Sequence, residues 1–407
     1  MNKKKIINDP VYGFINIPSE LVFDLISHPY FQRLRYIKQL GMTHLVYPGA
    51  LHTRFHHALG AMHLMSLAIE VLRGKGQEVT KVEEEAATIA ILLHDIGHGP
   101  FSHALEHTLV NGIHHEDLSM LIMEKLNVEF EGRLTSAIAV FKGDCQKKFL
   151  HQLISSQLDL DRMDYLNRDS FFTGVTEGVI SFDRIIKMFN VVDDNLVVEE
   201  KGIYSIENFL ISRRLMYWQV YLHKTVIAGE QLLVKILERA RELALKGVKL
   251  FATPALQHFL SNRINVIDFF EQELHLQQFM ELDDQDIFAS IKVWQDHPDA
   301  ILARLCKMLT TRNLYKIEIT NEAPDESRIA LLKESVGVVL NISKEEVRYF
   351  VFEDVIRNRA YNAGSSNIYI LLKNNTLIDI AKASDLSNLE SLDKTVKKYI
   401  LCYPRII

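Results

Sequence analysis

Three observations predict a mainly α-helical protein with a smaller α+β lobe at its C-terminal end. Apolar residues recur at helical spacing through most of residues 1–250. β-branched and aromatic residues gather instead in short runs beyond residue 311. The composition, 48% hydrophobic and 24% charged over 407 residues, is that of a chain able to bury a large core.

The elements follow in order. SELVFDLISHPYFQRLRYIKQLG (19–41) has helical periodicity, with Pro29 expected to break it and Gly41 to close it. HHALGAMHLMSLAIEVLRGKG (56–76) reads as a long amphipathic helix, again closed by glycine. KVEEEAATIAILLHD (81–95) opens with glutamates, which suit the positive end of a helix dipole. It then turns apolar nearly all round, as a central buried helix does. PFSHALEHTLV (100–110) begins another helix with proline in its first turn. Residues 209–247 read as one further long helical stretch. LYKIEIT (314–320), VRYFVFEDV (347–355) and NIYILLKNN (367–375) read as strands, with Asn374 and Asn375 turning the chain into TLIDIA. These assignments divide the chain into a helical domain (1–250), a helical connector (251–310) and an α+β lobe (311–407).

The net charge of -6 disfavours a general nucleic-acid-coating role. Cys145, Cys306 and Cys402 form no CxxC pair, so neither a disulfide framework nor a zinc ribbon is expected. The segment MNKKKIINDPVYG has lysines but no apolar stretch behind them, unlike a signal peptide. No apolar run reaches the ~20 residues of a spanning helix. A cytoplasmic protein with no membrane partner is expected.

The chemistry concentrates in ILLHDIGHGPFSH (91–103). His94 and Asp95 end the most apolar helix in the chain. A buried carboxylate beside a buried imidazole costs several kcal/mol unless it is paired or metal-bound. A metal centre is one account of the bare pair; a buried ion pair that caps the helix is an equally good one. Imidazole with carboxylate suits iron, zinc, manganese or magnesium, in decreasing order of preference for nitrogen. His57, at the start of the preceding helix, and the acids of LDLDRMDYLNRD (158–169) can supply further ligands. Helical spacing puts Asp161, Tyr165 and Arg168 within reach of one face, yet spacing alone does not say which acid binds. His44, His63 and His151 read as satisfied core residues, and His107 and His114 as structural or exposed. No G-x-x-x-x-G-K-[ST] stretch is present, which excludes a P-loop reading.

The set His57, His94-Asp95 and Asp161 resembles the H…HD…D signature of the HD-domain metal-dependent phosphohydrolases. FQRLRYIKQLG, YPGALHTRFHHALG, HDIGHGPFSH, HHEDLS and DLDRMDYLNRD extend the match toward the deoxynucleoside triphosphate triphosphohydrolases. The resemblance covers residues 5–250 strongly and the α+β lobe weakly. It implies an HD-domain helical core with His57, His94, Asp95 and Asp161 on a divalent metal. His98, His103 and His115 would sit over the α-phosphate, with Glu106 standing where the family usually has the aspartate that partners a catalytic histidine. Gln39 and Leu40 would contact sugar and base. Arg54, Arg162 and Arg213 would hold phosphate oxygens, Arg162 replacing a common lysine and so changing the geometry. Tyr165, Asp169 and Tyr221 would line the deoxyribose pocket and exclude a ribose 2′-hydroxyl. The implied reaction turns a dNTP into deoxynucleoside and inorganic triphosphate.

The resemblance also implies a homo-oligomer, dimer or tetramer, and a nucleotide effector. The mammalian branch selects guanine at its regulatory site through an aspartate just before a proline; Ser27 stands at the matching position, while Gln32 and Arg35 match. Guanine activation is therefore not carried over. Two other readings remain: a different HD phosphohydrolase, acting on cyclic nucleotides or guanosine tetraphosphate, and a nucleotide-sensing binding protein.

Overall fold

A computed structural model describes residues 5–101, 108, 112–358, 367–385 and 396–405. The chain enters through an antiparallel hairpin, β1 (Ile6–Asp9) and β2 (Gly13–Asn16). Asp9 caps its turn, its Oδ1 accepting from the amides of Val11 and Tyr12 at 2.9 and 3.0 Å. Pro29 breaks the next run as expected, leaving α1 (Glu20–Ser27) and α2 (Pro29–Gln32). The rest of that run is not α-helical. A 3-10 turn covers Arg33–Tyr36, and Lys38 then bridges to Thr53. Arg33 explains the departure: it is buried and donates to the carbonyls of Leu282 (2.7 Å) and His98 (2.9 Å), which holds the chain out of a helix.

The central layer is α3 (Arg54–Gly74), α4 (Lys81–Leu93) and α8 (Leu160–Thr173), with α3 packed on both α4 and α8. Thr80 and Glu83 form a capping box at the start of α4, which then buries every residue from Ala86 to Leu93. Around this layer lie α5 (His115–Glu129), α6 (Thr135–Lys142), α7 (Lys148–Gln152) and α9 (Phe182–Lys187). α3 meets the length and hydropathy of a spanning helix, contrary to expectation, but 67% of that window is buried inside the fold, where its side chains form the core. The helix expected over 100–110 lies largely outside the described residues.

A second hairpin, β3 (Phe189–Val192) and β4 (Asn195–Glu199), was not legible as strand. Its two-residue turn is Asp193-Asp194, both at positive φ (48° and 62°), the conformation that matches strand twist. The stretch 209–247 is two helices rather than one. α10 (Ile203–Met216) runs into a π-turn at Tyr217–Tyr221, and α11 (Lys224–Leu245) restarts with the His223 side chain accepting from the Thr225 amide. The wider turn redirects Tyr217 and Tyr221 toward a shared cavity.

Helices α12 (Pro254–Ser261), α13 (Val266–Glu271), α14 (Glu273–Met280), α15 (Asp284–Trp294) and α16 (Ala300–Thr310) follow. The C-terminal part holds β5 (Lys316–Thr320), α17 (Glu326–Leu340), β6 (Phe352–Asn358), β7 (Tyr369–Leu371), β8 (Leu377–Asp379), α18 (Ile380–Ala383) and β9 (Val396–Tyr403). β9 sits between β5 and β6, antiparallel to both, while β7 joins β4 in parallel to give the order β3-β4-β7-β8. In the run 347–355 the strand starts only at Phe352, after a 3-10 turn over Glu346–Tyr349. The fold is mainly α with a smaller α+β lobe, and one apolar cluster runs from Ile15 through to Tyr403.

Candidate active site

Four short segments meet at the C-terminal end of α4. α3 supplies Arg54 and His57 from its first turn, α4 ends on His94 and Asp95, α8 supplies Asp161, and α5 supplies His115. Ser119 of α5 fixes the end of α4: its hydroxyl donates to the His94 carbonyl (2.7 Å) and accepts from the Gly97 amide (2.9 Å). Gly97 makes this possible. A Cβ there would lie 2.3 Å from both the His115 carbonyl oxygen and the Ser119 nitrogen, so the glycine serves the close approach of α5 rather than of a ligand.

Nε2 of His57 lies 3.1 Å from Oδ1 of Asp161, and Nε2 of His94 lies 3.5 Å from the same oxygen. Asp95 Oδ1 is 3.3 Å from His94 Nε2, and its Oδ2 is 3.7 Å from His57 Nε2. The four residues expected on a metal are thus brought together, although Asp95 also pairs with the Arg54 guanidinium. Ligand atoms of His57, His94 and Asp161 all lie within 4.8 Å of one another, and those of Asp95, His98 and His115 form a second such group.

The donor set fits a divalent cation. Nδ1 of His57 donates to Asp164 (2.7 Å) and Nδ1 of His94 to the Ile91 carbonyl (2.6 Å). Both Nε2 atoms are buried and make no hydrogen bond. In its neutral form each imidazole keeps its proton on the outer nitrogen, which leaves the inner lone pair to the cluster. Burial alone would make these groups neutral. The carboxylates of Asp161 and Asp164 overcome it and push His57 up to about 10. The neighbouring histidines, opposing burial, hold Asp161 far below the carboxylate range. His98 moves the other way: burial and the Arg54 charge keep its imidazole well below the ordinary value. Imidazole nitrogens and carboxylate oxygens converge here within 4.8 Å of one another, the donor types a divalent cation takes.

Beside it opens a cavity of about 440 Å³. Gln39, Leu40, Arg54, Asp161, Arg162, Tyr165, Asp169 and Tyr221, all expected in the site, line it. Asp169 is held by the Tyr221 hydroxyl (2.7 Å) and by His52 Nε2 (2.7 Å). Arg162 pairs with Asp159, the N-cap of α8, and its Nε has no partner. Arg213 is not among the lining residues, but it is buried near Tyr165, with Nε and Nη1 unpartnered. The His98 and His115 rings stack at 3.9 Å. His103 and Glu106, expected as catalytic residues, and His107 lie outside the described residues. His44 and His151 bond backbone carbonyls and His63 packs on Tyr12, as core residues do; His114 caps α5 from an exposed position.

Sequence reasoning missed His52, Asp164, Gly41, Thr43, Phe101, Tyr217, Leu222 and Glu230, the last six of which line the cavity or, for Asp164 and His52, support it. Arg168, grouped with Asp161 by helical spacing, turns away to Asp164 and Asp9. A signal existed for Glu230, a lone acid among Val226, Ile227, Leu233 and Val234 on α11. Among the described residues no ion pair reaches it, and burial pushes its carboxyl up to about 7.

This fold and this His–Asp cluster define an HD-type phosphohydrolase centre. The HD domain family matches residues 54–169, and the HD associated region matches residues 180–253. A solved phosphohydrolase from Bacteroides thetaiotaomicron is 53% identical, with a TM-score of 0.96 over 99% of this chain and 100% of that one. The Bacillus subtilis protein YwfO is 36% identical over 78% of this chain and 72% of its own length. The deoxynucleoside triphosphate triphosphohydrolase SAMHD1 homolog of Dictyostelium discoideum is 33% identical, and human SAMHD1 31%, each over 54% of this chain. The chain spans less than half the length of those two relatives, 46% and 42%. The chain belongs to the HD-domain phosphohydrolases.

Proposed function

We propose that the protein hydrolyses deoxynucleoside triphosphates at the α-phosphorus, releasing deoxynucleoside and inorganic triphosphate. One observation carries the reading: the His57–His94–Asp161 group shares Asp161 with a cavity that joins Arg54 and Arg162 to Tyr165, Asp169 and Tyr221. Cationic forks beside a polar aromatic wall suit a triphosphate and a sugar presented together.

His57, His94, Asp95 and Asp161 hold the divalent ion, with iron, zinc, manganese and magnesium as candidates in that order. When bound, it supplies Lewis acidity that polarises a phosphoryl oxygen and acidifies water. Water oxygen adds to the α-phosphorus, the bond to the 5′ oxygen breaks, and a proton passes to that oxygen. His98 and His115, with His103 and Glu106 from the neighbouring segment, manage these protons. Burial and the Arg54 charge disfavour protonation of His98, so it acts as a neutral imidazole. Arg54, Arg162 and Arg213 orient the phosphates, and Gln39 and Leu40 face the sugar and base. Asp169, fixed by His52 and Tyr221, lines the deoxyribose pocket with Tyr165 and Tyr221, where a tight fit rejects a ribose 2′-hydroxyl.

A homo-oligomer and a nucleotide effector extend this reading. Support for an effector comes from a second cavity of about 800 Å³, lined by Lys224, Lys316, Lys398, Arg405 and Trp218, which shares Leu222 with the first. The surviving Gln32–Arg35 bond (2.8 Å) lies at the other position implied by the family, beside Ser27.

The test is product analysis of metal-loaded protein with each dNTP, with and without a second nucleotide, beside a His94→Ala/Asp95→Ala control. Deoxynucleoside and triphosphate, absent in the control, are expected. Cleavage of phosphodiesters alone would support the other HD phosphohydrolases instead, and tight nucleotide binding without turnover would support a sensor.

A further inference from the structure

His57 presents Nε2 to the metal cluster and Nδ1 to a chain of charges leading away from it. Asp164 Oδ2 accepts from His57 Nδ1 at 2.7 Å. Arg168 grips Asp164 with Nε and Nη2, each at 3.0 Å. The Arg168 Nη1 then donates to Asp9 Oδ2 at 2.7 Å. The side chains of His57, Asp164 and Arg168 are fully buried, and that of Asp9 is 3% exposed. α3 makes room for them: a Cβ on Gly60 would lie 2.0 Å from Asp164 Oδ1 and 2.2 Å from Arg168 Nη2.

The charge balance shows what the chain is for. Two carboxylates flank one guanidinium in a space closed to water. A brace between helices needs only a neutral pair, because each extra buried charge carries a desolvation cost. At the Asp9 end two backbone amides, Val11 and Tyr12, take up charge, and at the other end the Asp164 carboxylate faces the His57 ring and, through it, the metal position. Asp9 lies at the far end, in the turn of the β1–β2 hairpin and outside the catalytic cavity.

We propose that Asp9 is a positioning residue for the metal: through Arg168 and Asp164 it fixes the His57 ring, so closure of the N-terminal hairpin and retention of the metal are one coupled equilibrium. The inference rests on the metal-centre reading above. Coupling of this kind is reciprocal, so a metal that binds better with the hairpin docked must also hold the hairpin down.

Asp9→Asn separates the two jobs of this residue. The amide oxygen still accepts from Val11 and Tyr12, while the oxygen facing Arg168 becomes an NH2 group. Mn²⁺ and Zn²⁺ affinity is measured by chelator competition on the full chain, and hydrogen exchange of the amides of residues 6–16 is followed in wild type with and without metal. The relay predicts about tenfold weaker metal binding in Asp9→Asn, the lower end of the range for groups behind a ligand. It also predicts slower hairpin exchange in wild type once metal is added. Unchanged affinity in a folded variant overturns the relay. If the variant does not fold, the wild-type exchange decides, and equal rates with and without metal overturn it. A wild-type protein that takes up no divalent ion overturns the metal centre and the relay together.

Discussion

Oδ1 of Asp161 lies between two imidazoles, 3.1 Å from Nε2 of His57 and 3.5 Å from Nε2 of His94. Both nitrogens are buried, neither makes a hydrogen bond, and each ring is pinned from behind by its Nδ1. The arrangement is a preformed three-point cradle for a cation. Asp161→Asn keeps the shape and removes one charge. Its divalent-metal affinity is expected to fall by at least about 100-fold, above the range for groups behind a ligand, as read by chelator competition. An Asp161→Asn protein that keeps wild-type metal content contradicts the ligand assignment.

Gly97 tests the packing that aims the cluster. A methyl group there would sit 2.3 Å from the backbone of α5. Backbone cannot rotate away as a side chain can. Gly97→Ala should cost about 1–3 kcal/mol of stability, the usual range for overpacking, and also weaken metal binding, because Ser119 loses its grip on the His94 carbonyl. Chemical denaturation of the two proteins, with and without metal, measures both effects; equal stabilities would mean that α5 does not press on this loop.

Tyr221 tests the sugar side. Its hydroxyl donates to Asp169, whose other oxygen is held by His52. Tyr221→Phe removes one bond of about 1 kcal/mol and loosens a wall without opening the metal cluster. The expected result is a several-fold rise in KM for dNTPs with a smaller change in kcat. The preference over the matching ribonucleotides should narrow. An unchanged dNTP-to-NTP ratio would take Asp169 and Tyr221 out of sugar selection.

Glu230 gives a pH dependence with a definite sign. Burial raises its folded carboxyl to about 7 from the usual 4.5. Between those values the folded protein keeps a proton that the unfolded chain has released, so this group lowers stability progressively as pH rises through the window, levelling off above about 7. Glu230→Gln removes that slope. The variant should match wild type at the acidic end and exceed it by about 3 kcal/mol above the window, read from unfolding midpoints across pH. The same carboxyl lines the cavity, so the variant should also shift relative kcat/KM among the four dNTPs. Identical ratios would assign Glu230 to packing alone.

The parts of this account legible in the sequence share a physical origin. α3 and α4 are long and apolar and α8 alternates acids with Leu160, Met163 and Leu166 at helical spacing, and His57, His94, Asp95 and Asp161 sit at their ends, where residue order and space agree. What was not legible depends on contacts between distant segments. Arg33 keeps residues 33–41 out of a helix by bonding Leu282 and His98. The strands of the two hairpins, four or five residues each, are too short for periodicity to register. Asp164 was visible as one acid among three, but only its bond to His57 separates its role from that of Asp161. Asp9 gave no signal at all, since its partner Arg168 lies 159 positions away.

The central claim is water attack at the α-phosphorus by a protein whose His–Asp cluster holds a divalent ion. Turnover of a dNTP in oxygen-18 water, with the products resolved by mass spectrometry, tests it most directly. The account predicts one labelled oxygen in inorganic triphosphate, an unlabelled deoxynucleoside, and no turnover by the His94→Ala/Asp95→Ala protein. Label in the deoxynucleoside, or pyrophosphate and a monophosphate as products, would contradict it.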